Sequence, residues 1–209
     1  GGSHGLDDII PGVGIDFYFI NGQNNIIAGK KHGKTAGNAW IGLNVNNSLV
    51  VGEFNKTSGT ASINTNNIIG GYNNTVSGAH NIIGGYQNSG GCYESIISGR
   101  SNTVSSSTYR SLVVGSNNNA QGNQVMVSGQ GHDIVGTGGN NFAIGRDVTI
   151  GTSAVSVSQS GGLGRLVEIF KSESVGIGRN LRVNSSSTAG NASTTTTSTT
   201  RMLVSTLCF

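Results

Sequence analysis

The sequence predicts an all-β protein, a parallel β-roll or β-solenoid with coils of about 14 residues, from its repeats and its composition. Asn67–Tyr72 has the sequence NIIGGY and returns as NIIGGY at Asn81–Tyr86, fourteen residues later, and Ser95–Gly99 follows after fourteen more. A fixed short period is typical of solenoids, in which each repeat stacks on the next. The chain has 209 residues with 35 glycines, 1 proline and 10% charged residues, which is unlike an ordinary globular enzyme.

The repeated word consists of a polar residue, two apolar residues, a small or apolar residue and a glycine. The closing glycines from position 71 to position 145 are spaced 14, 14, 16, 14 and 16 residues apart. A weaker word lies half a period later, as at Thr75–Gly78 and Val148–Gly151, so we expect two short strands per coil, each closed by a Gly or Asn turn. The other copies of the main word are Asn25–Gly29, Asn38–Gly42, Ser48–Gly52, Ser111–Gly115, Asn141–Gly145 and Ser174–Gly178, and a degenerate copy ends at Gly129.

The strength of this repeat divides the chain into four regions. Residues 1–20 are predicted to be an N-terminal linker and a lead-in strand, since Val13–Ile20 alternates. Residues 21–151 are the β-roll repeat domain. Residues 152–183 are expected to be an irregular β segment with a last repeat: residues 152–173 break the pattern, and Leu163–Phe170 is a strand or a short helix. Residues 184–209 are a Ser/Thr-rich tether followed by an apolar C-terminal tail.

Each word contains two adjacent apolar residues, and adjacent residues of a strand point to opposite faces. One face can fill the interior of the roll, but the other would be a large exposed apolar patch unless other chains cover it. The sequence therefore predicts that several chains pack together, and we expect a homotrimer whose chains are intertwined or side by side. The two columns are Ile68, Ile82, Ile96, Leu112, Met126 and Phe142 on one face, and Ile69, Ile83, Ile97, Val113, Val127 and Ala143 on the other.

A family resemblance is carried by these same words. Asn140–Gly145 has the sequence NNFAIG and resembles the N-S-V-A-I-G word of YadA-like trimeric adhesin heads, and Ser174–Gly178 is similar. Thr75–Asn81 resembles the half-repeat between such words. The resemblance covers residues 21–151 and implies a trimeric left-handed parallel β-roll, a kind of repeat also found in phage and other viral tail-fibre proteins. The sequence shows no coiled-coil neck and no membrane-anchor segment, which favours a viral fibre or a detached fragment.

The overall charge and the cysteines exclude several classes of protein. The net charge is +3, and Lys30, Lys31 and Lys34 form the only basic cluster, so nucleic acid is not an expected partner. Cys92 and Cys208 provide neither a disulfide framework nor a zinc site. No apolar run is long enough for a membrane-spanning helix. We therefore predict no cofactor, no membrane span, and a location on a virion surface or on the outside of a cell.

The position after each closing glycine forms a column that is predicted to lie at a solvent-facing corner of the roll. Tyrosine rings stack on the apolar faces of sugars, and neighbouring amides bind sugar hydroxyls. The structural alternative is that Asn and Tyr at these positions only cap the turns. The candidate ligand-binding residues of this column are Tyr72, Tyr86, Arg100, Gln130 and Arg146, and Lys30, Ser116 and Arg179 continue it.

Other motifs have simpler structural explanations. Ala28–Thr35 nearly matches a phosphate-binding P-loop, but its first glycine is replaced and another strand word follows instead of a helix, so a basic turn is the simpler interpretation. The histidines lack the spacing of a metal site, and the carboxylates lack the pairing that a glycosidase needs. We therefore predict no metal and no catalytic residue. The residues concerned are His4, His32, His80, His132, Asp133, Asp147, Glu168 and Glu173.

These observations favour a structural and adhesive protein that is not an enzyme. The expected function is that of a virion tail fibre or surface fibre that binds a host cell-surface glycan or receptor and joins other fibre or virion proteins. One alternative is the head of a bacterial trimeric autotransporter adhesin. Another is a polysaccharide-degrading tailspike, which would need two carboxylates in one groove. An ice-binding solenoid would need a regular Thr or Asn array, and Thr is out of register in residues 67–151.

Overall fold

The computed structural model describes residues 20–32, 43–58, 64–105, 108–135, 138–183 and 194–196. These residues are all-β and contain no helix, and their strands form a parallel β-solenoid. The chain divides into two compact units, residues 1–106 and residues 107–209. Most of the predicted lead-in strand, the word at 38–42 and most of the C-terminal tail lie outside the described residues.

The first unit is built from alternating long and short strands. The long strands pair in parallel in the order β2-β4-β6-β8-β10, and the short strands pair in the order β5-β7-β9-β11. Its strands are β1 (Ile20–Asn21), β2 (Ile26–Lys30), β3 (Leu43–Asn44), β4 (Leu49–Glu53), β5 (Lys56–Thr57), β6 (Ile68–Tyr72), β7 (Thr75–Val76), β8 (Ile82–Tyr86), β9 (Ser89–Gly90), β10 (Ile96–Arg100) and β11 (Thr103–Val104).

The second unit continues this design and then changes it. Its first coils again combine a long and a short strand, whereas its last three parallel strands are each nine residues long. A final three-residue strand pairs antiparallel with the last of them. Its strands are β12 (Leu112–Ser116), β13 (Asn119–Ala120), β14 (Met126–Gln130), β15 (Asp133–Ile134), β16 (Phe142–Ile150), β17 (Gly161–Ile169), β18 (Val175–Val183) and β19 (Thr194–Thr196).

The predicted pair of strands per coil is confirmed, and the closing glycines are in register. Gly71 pairs with Gly85 and Gly85 with Gly99, and in the second unit Gly129 pairs with Gly145. Side-chain bonds that join equivalent positions of neighbouring coils span 14 residues around Asn81, but 23 residues between Asn25 and Ser48. The spacing between equivalent positions of neighbouring coils is therefore not uniform along the chain.

Gly85 illustrates why the word ends in glycine. Its φ angle is 108°, a conformation that residues with a Cβ rarely adopt. A Cβ at this position would also collide with the backbone carbonyl oxygen of Gly99 in the next coil. Gly84, directly before it, has open space where its Cβ would be. Only the second glycine of the NIIGGY word is thus required by the stacking of the coils.

Each coil turns at two residues with left-handed backbone, one before and one after the long strand. In the central coils of the first unit these are Asn66, Asn73, His80 and Gln87, with φ angles of 55°, 53°, 61° and 55°. The short polar residue Asn and the residue His tolerate this conformation better than most. The residue after each corner points into the solenoid and is buried, as at Asn67, Asn74, Asn81 and Asn88.

These buried asparagines form two ladders that hold neighbouring coils together. The Nδ2 group of Asn88 donates to the carbonyl oxygens of Gly84 and Gly99 at 2.8 and 3.0 Å. Its Oδ1 atom accepts from the backbone N–H of Asn102 at 3.0 Å. Asn67 and Asn81 repeat this arrangement on the other side of the long strand, where Asn81 N donates to Asn67 Oδ1 at 3.0 Å. Buried amides with complete hydrogen bonding of this kind stabilise and specify the stacking.

The apolar interior is formed by only one of the two predicted columns. Ile69, Ile83 and Ile97 are at most 1% exposed, and Val76 and Val104 of the short strands are also buried. In the second unit Val113 and Val127 occupy the equivalent position of their strands and are also buried. The other column points outward.

The interpretation of residues 152–173 as a break in the pattern is wrong from Gly161 onward. Strand β17 pairs with β16 and β18 over its whole length, so Leu163–Phe170 is mostly strand and not helix. Gly164 is a closing glycine in register with Gly145. The segment Ala154–Ser158, which alternates like a strand, is not in a strand.

Candidate functional site

The first functional surface is the outward apolar column of the long strands. Its residues are still half exposed in a single chain, although they lie in the middle of regular strands. The exposed fractions are 46% at Ile26, 46% at Ile68, 47% at Ile82 and 44% at Ile96 in the first unit, and 38% at Leu112, 42% at Met126 and 48% at Val175 in the second.

Beside this column, the outward face of β6, β8, β10 and β14 carries small residues, whereas β4 and β12 carry Val51 and Val114 there. The outward position two residues after Ile82 is Gly84, and the one after Ile96 is Ser98. The backbone of such a strand can approach a neighbouring surface closely. A regular apolar ladder on a sheet is an association surface, since scattered exposed apolar residues do not line up in this way.

The second surface is the predicted corner column, which in the first unit is a stack of rings and cations. The rings of Tyr72 and Tyr86 are parallel, with centroids 5.2 Å apart and planes at 6°. The Phe54 ring meets Tyr72 edge-on at 5.4 Å, and the guanidinium of Arg100 lies 5.6 Å from the centre of the Tyr86 ring. Lys31 lies over Phe54 at 5.0 Å.

This geometry changes the chemistry expected of the two tyrosines. One face of the Tyr86 ring is covered by Tyr72 and the other by Arg100. A sugar therefore cannot stack on either face of the Tyr86 ring unless the column rearranges. It would meet only the edges and hydroxyl groups of the rings. Stacked rings at these distances stabilise neighbouring coils, which agrees with the structural alternative for this part of the column.

In the second unit the corner column becomes a row of arginines. Gln130 pairs with Arg146, Arg146 with Arg165, and Arg165 with Arg179, and all four are exposed. The sequence placed Gln130, Arg146 and Arg179 in this column but missed Arg165. The dipeptide Gly-Arg, which recurs at 145–146, 164–165 and 178–179, is the signal that would have found it.

A groove of about 390 Å³ adjoins this row and contains two carboxylates, Asp147 and Glu168. Each already has an arginine partner, since Arg146 Nε lies 3.2 Å from Asp147 and Arg182 Nε lies 3.4 Å from Glu168. Such exposed ion pairs are common on protein surfaces.

The remaining candidate side chains are internal. His32 and His132 are buried, and His32 follows a left-handed corner at Lys31, so this part of the near P-loop match is a turn between coils. The backbone N–H of Val148 donates to His132 Nδ1 at 3.1 Å, so Nε2 carries the proton and donates to the Ser128 carbonyl. Burial lowers the pKa of His132 and of His32. Burial raises the pKa of the Cys92 thiol to about 11, which makes it unreactive.

Within the described ranges, no group of three His, Cys, Asp or Glu side chains could hold a metal ion. The same residues include no helix long and apolar enough to cross a membrane. His4 and Cys208 lie outside them.

Comparison of the chain with protein-family models, with curated proteins and with solved structures finds no match. The parallel β-solenoid is compatible with the β-roll that the repeat words imply, and membership of the YadA-like family stays a prediction.

Proposed function

We propose that the protein is a structural and adhesive fibre in which three copies of the chain pack side by side through the outward apolar column. The observation that carries this proposal is the half-exposed ladder of Ile26, Ile68, Ile82 and Ile96 on regular strands. Covering it removes apolar surface from water, which is the main driving force for association. The number three comes from the resemblance of the repeat words to trimeric adhesin heads.

In this proposal the coil of about 14 residues is the building unit of the fibre. Three parts of each coil have different roles. The outward face of the long strand contacts the other chains, the corners face solvent, and the buried asparagines join successive coils. The same kind of ladder bond joins Asn25 and Ser48, although these residues are 23 positions apart in the sequence.

The adhesive role is assigned to the corner columns, which would be repeated three times around the fibre. Repeated weak sites on one rigid body bind a cell surface with much higher avidity than one site alone. The partners are a host cell-surface glycan or receptor and other fibre or virion proteins, and the proposed location is a virion or an outer cell surface. No catalytic role is part of the proposal.

Two measurements test the proposal. Sedimentation of the full chain at micromolar concentration should give a single species of three times 21.3 kDa, and a folded monomer would refute the assembly. Labelled protein should bind to host cells and lose binding after their surface glycans or proteins are removed enzymatically. A trimer that binds no cell surface would leave a structural fibre without the adhesive function.

A further inference from the structure

We propose that the arginine row of the second unit, Arg146, Arg165 and Arg179, binds an acidic polysaccharide through its carboxylate or sulfate groups. The inference rests on the proposed adhesive function and names the class of glycan. It concerns a part of the corner column different from the aromatic stack of the first unit.

The three arginines are placed at regular intervals by the sheet. They are register partners on β16, β17 and β18, which are the longest strands of the molecule among the residues that the structure describes. Neighbouring strands of a sheet lie about 4.8 Å apart, so the side chains start from points separated by that distance. Each arginine follows a closing glycine and precedes a left-handed residue, namely Asp147, Leu166 or Asn180, so the backbone direction is fixed at all three.

The row has more positive charge than its surroundings balance. Arg146 is paired with Asp147, but within the described residues no carboxylate lies within ion-pair distance of Arg165 or Arg179. The nearby acidic residues are engaged elsewhere, because Glu168 pairs with Arg182 and Asp133 accepts from Asn119 Nδ2 at 2.7 Å. Like charges directly opposite each other in a sheet repel, so a row of three is unfavourable unless an anion lies along it.

The chemistry of the row fits an anionic chain of sugars better than the two other classes of ligand. A guanidinium group can bind a carboxylate or a sulfate through two parallel hydrogen bonds. A neutral sugar would need open aromatic faces, and a single-stranded nucleic acid would need aromatic platforms for its bases. The register row contains Ser116, Gln130 and the three arginines, and no aromatic residue. The exposed amide of Gln130 and the half-buried amide of Asn180 can bind sugar hydroxyls beside the charges.

Binding of the full chain to immobilised dextran sulfate, neutral dextran and hyaluronan tests the proposal. We expect binding to dextran sulfate and to hyaluronan, no binding to dextran, and weaker binding as salt increases. The double variant Arg165→Gln/Arg179→Gln should lose about tenfold in affinity for each arginine removed, as expected for charge-assisted hydrogen bonds. Arg165→Lys should keep part of the affinity, because it retains the charge without the planar fork.

Arg100→Gln is the matched control, since Arg100 occupies the same column position in the first unit but stacks on Tyr86. Unchanged dextran sulfate binding by the double variant, or an equal loss in Arg100→Gln, would overturn the inference. Equally tight binding of a single-stranded oligonucleotide of similar charge would also overturn it. If the double variant still attaches to host cells like the natural sequence, the acidic-glycan inference fails while the adhesive fibre stands. If the natural sequence attaches to no cell surface, the adhesive function itself fails.

Discussion

Substitution of Ile82 by Asp tests whether the outward face of the long strands is open to water or covered by another chain. Ile82 is 47% exposed in the single chain, and full burial of an isoleucine is worth about 1.5–3 kcal/mol. Roughly half of that, about 1 kcal/mol per chain, is therefore still available to association at this residue. In the proposed trimer, the Ile82→Asp chain loses this gain and brings three carboxylates to one level of the assembly.

The electrostatic part of the effect is the larger one. Moving an unpaired charge out of water costs several kcal/mol per ion even after relaxation. Together with the lost apolar contact, we expect association to weaken by more than about 3 kcal/mol per chain, which is over a hundredfold in dissociation constant. If the outer face were open to water, the cost would be limited to the poorer strand propensity of Asp, at most about 1 kcal/mol.

Analytical ultracentrifugation at micromolar concentration, with far-UV circular dichroism of the same samples, measures the outcome. Thr103→Asp is the matched control, because Thr103 is an exposed strand residue on the short-strand side. We expect the control to sediment as the natural sequence does and Ile82→Asp to dissociate. Normal assembly of Ile82→Asp would refute the argument that this face is covered.

Four further outcomes follow from the interior. Ile83→Asp places a charge in the core and should abolish folding, seen as loss of the β signal and of soluble protein. Gly85→Ala should lower the free energy of unfolding by more than about 2 kcal/mol in denaturant titrations, whereas Gly84→Ala has room within its chain. Asn88→Leu should cost about 3 kcal/mol or more, because two carbonyls and a backbone N–H lose their partner. The melting temperature should fall between pH 7 and pH 5 because of His132 and its counterpart His32.

The sign of the pH effect follows from the neutral state of the buried imidazoles. Burial lowers the pKa of His132 in the folded chain, so the unfolded chain binds more protons below its ordinary pKa of about 6.5. Stability is therefore complete above that pH and decreases as the pH falls, by up to about 1.4 kcal/mol per pH unit for each buried histidine. His132→Asn, which keeps a ladder residue, should weaken the dependence. An unchanged pH profile would contradict the assignment of His132 as a neutral acceptor.

An equal decrease in the free energy of unfolding for Gly85→Ala and Gly84→Ala would contradict the stacking argument for Gly85. Normal stability of Asn88→Leu would mean that the ladder bonds contribute nothing beyond the backbone pairing. A soluble, folded Ile83→Asp protein would show that this column is not the interior.

The local repeat made the central coils predictable from the sequence. Both apolar columns, the closing glycines and the two strands per coil are properties of a short window, and Ile82 and Ile83 occupy opposite faces as expected. The choice of the inner face was not predictable, because it depends on the left-handed corners at residues such as His80 and Gln87.

The coil around Gly161 shows why the rest of the repeat was missed. The apolar pair of the word is replaced there by Gly161 and Gly162, so no local pattern remains. The missing volume is supplied by other coils, since the Phe142 ring lies where a Cβ of Gly161 would be and Val148 lies where that of Gly162 would be. Compensation between residues that are far apart in sequence is invisible to a local pattern, and Arg165 was lost with it. The buried asparagine ladders were not predicted either, because in a short stretch of sequence a buried ladder asparagine cannot be told from an asparagine in a turn.

The contacts between coils of the first unit allow the number of coils in that unit to change one at a time. Each of the central coils is joined to the next by the same asparagine ladders and the same stacked glycines, all between immediate neighbours. A block of 14 residues can therefore be duplicated or removed without creating a new kind of contact. Every block gained would lengthen the stack of coils in this unit by about 4.8 Å, so the length of the stack is open to selection in small, equal increments.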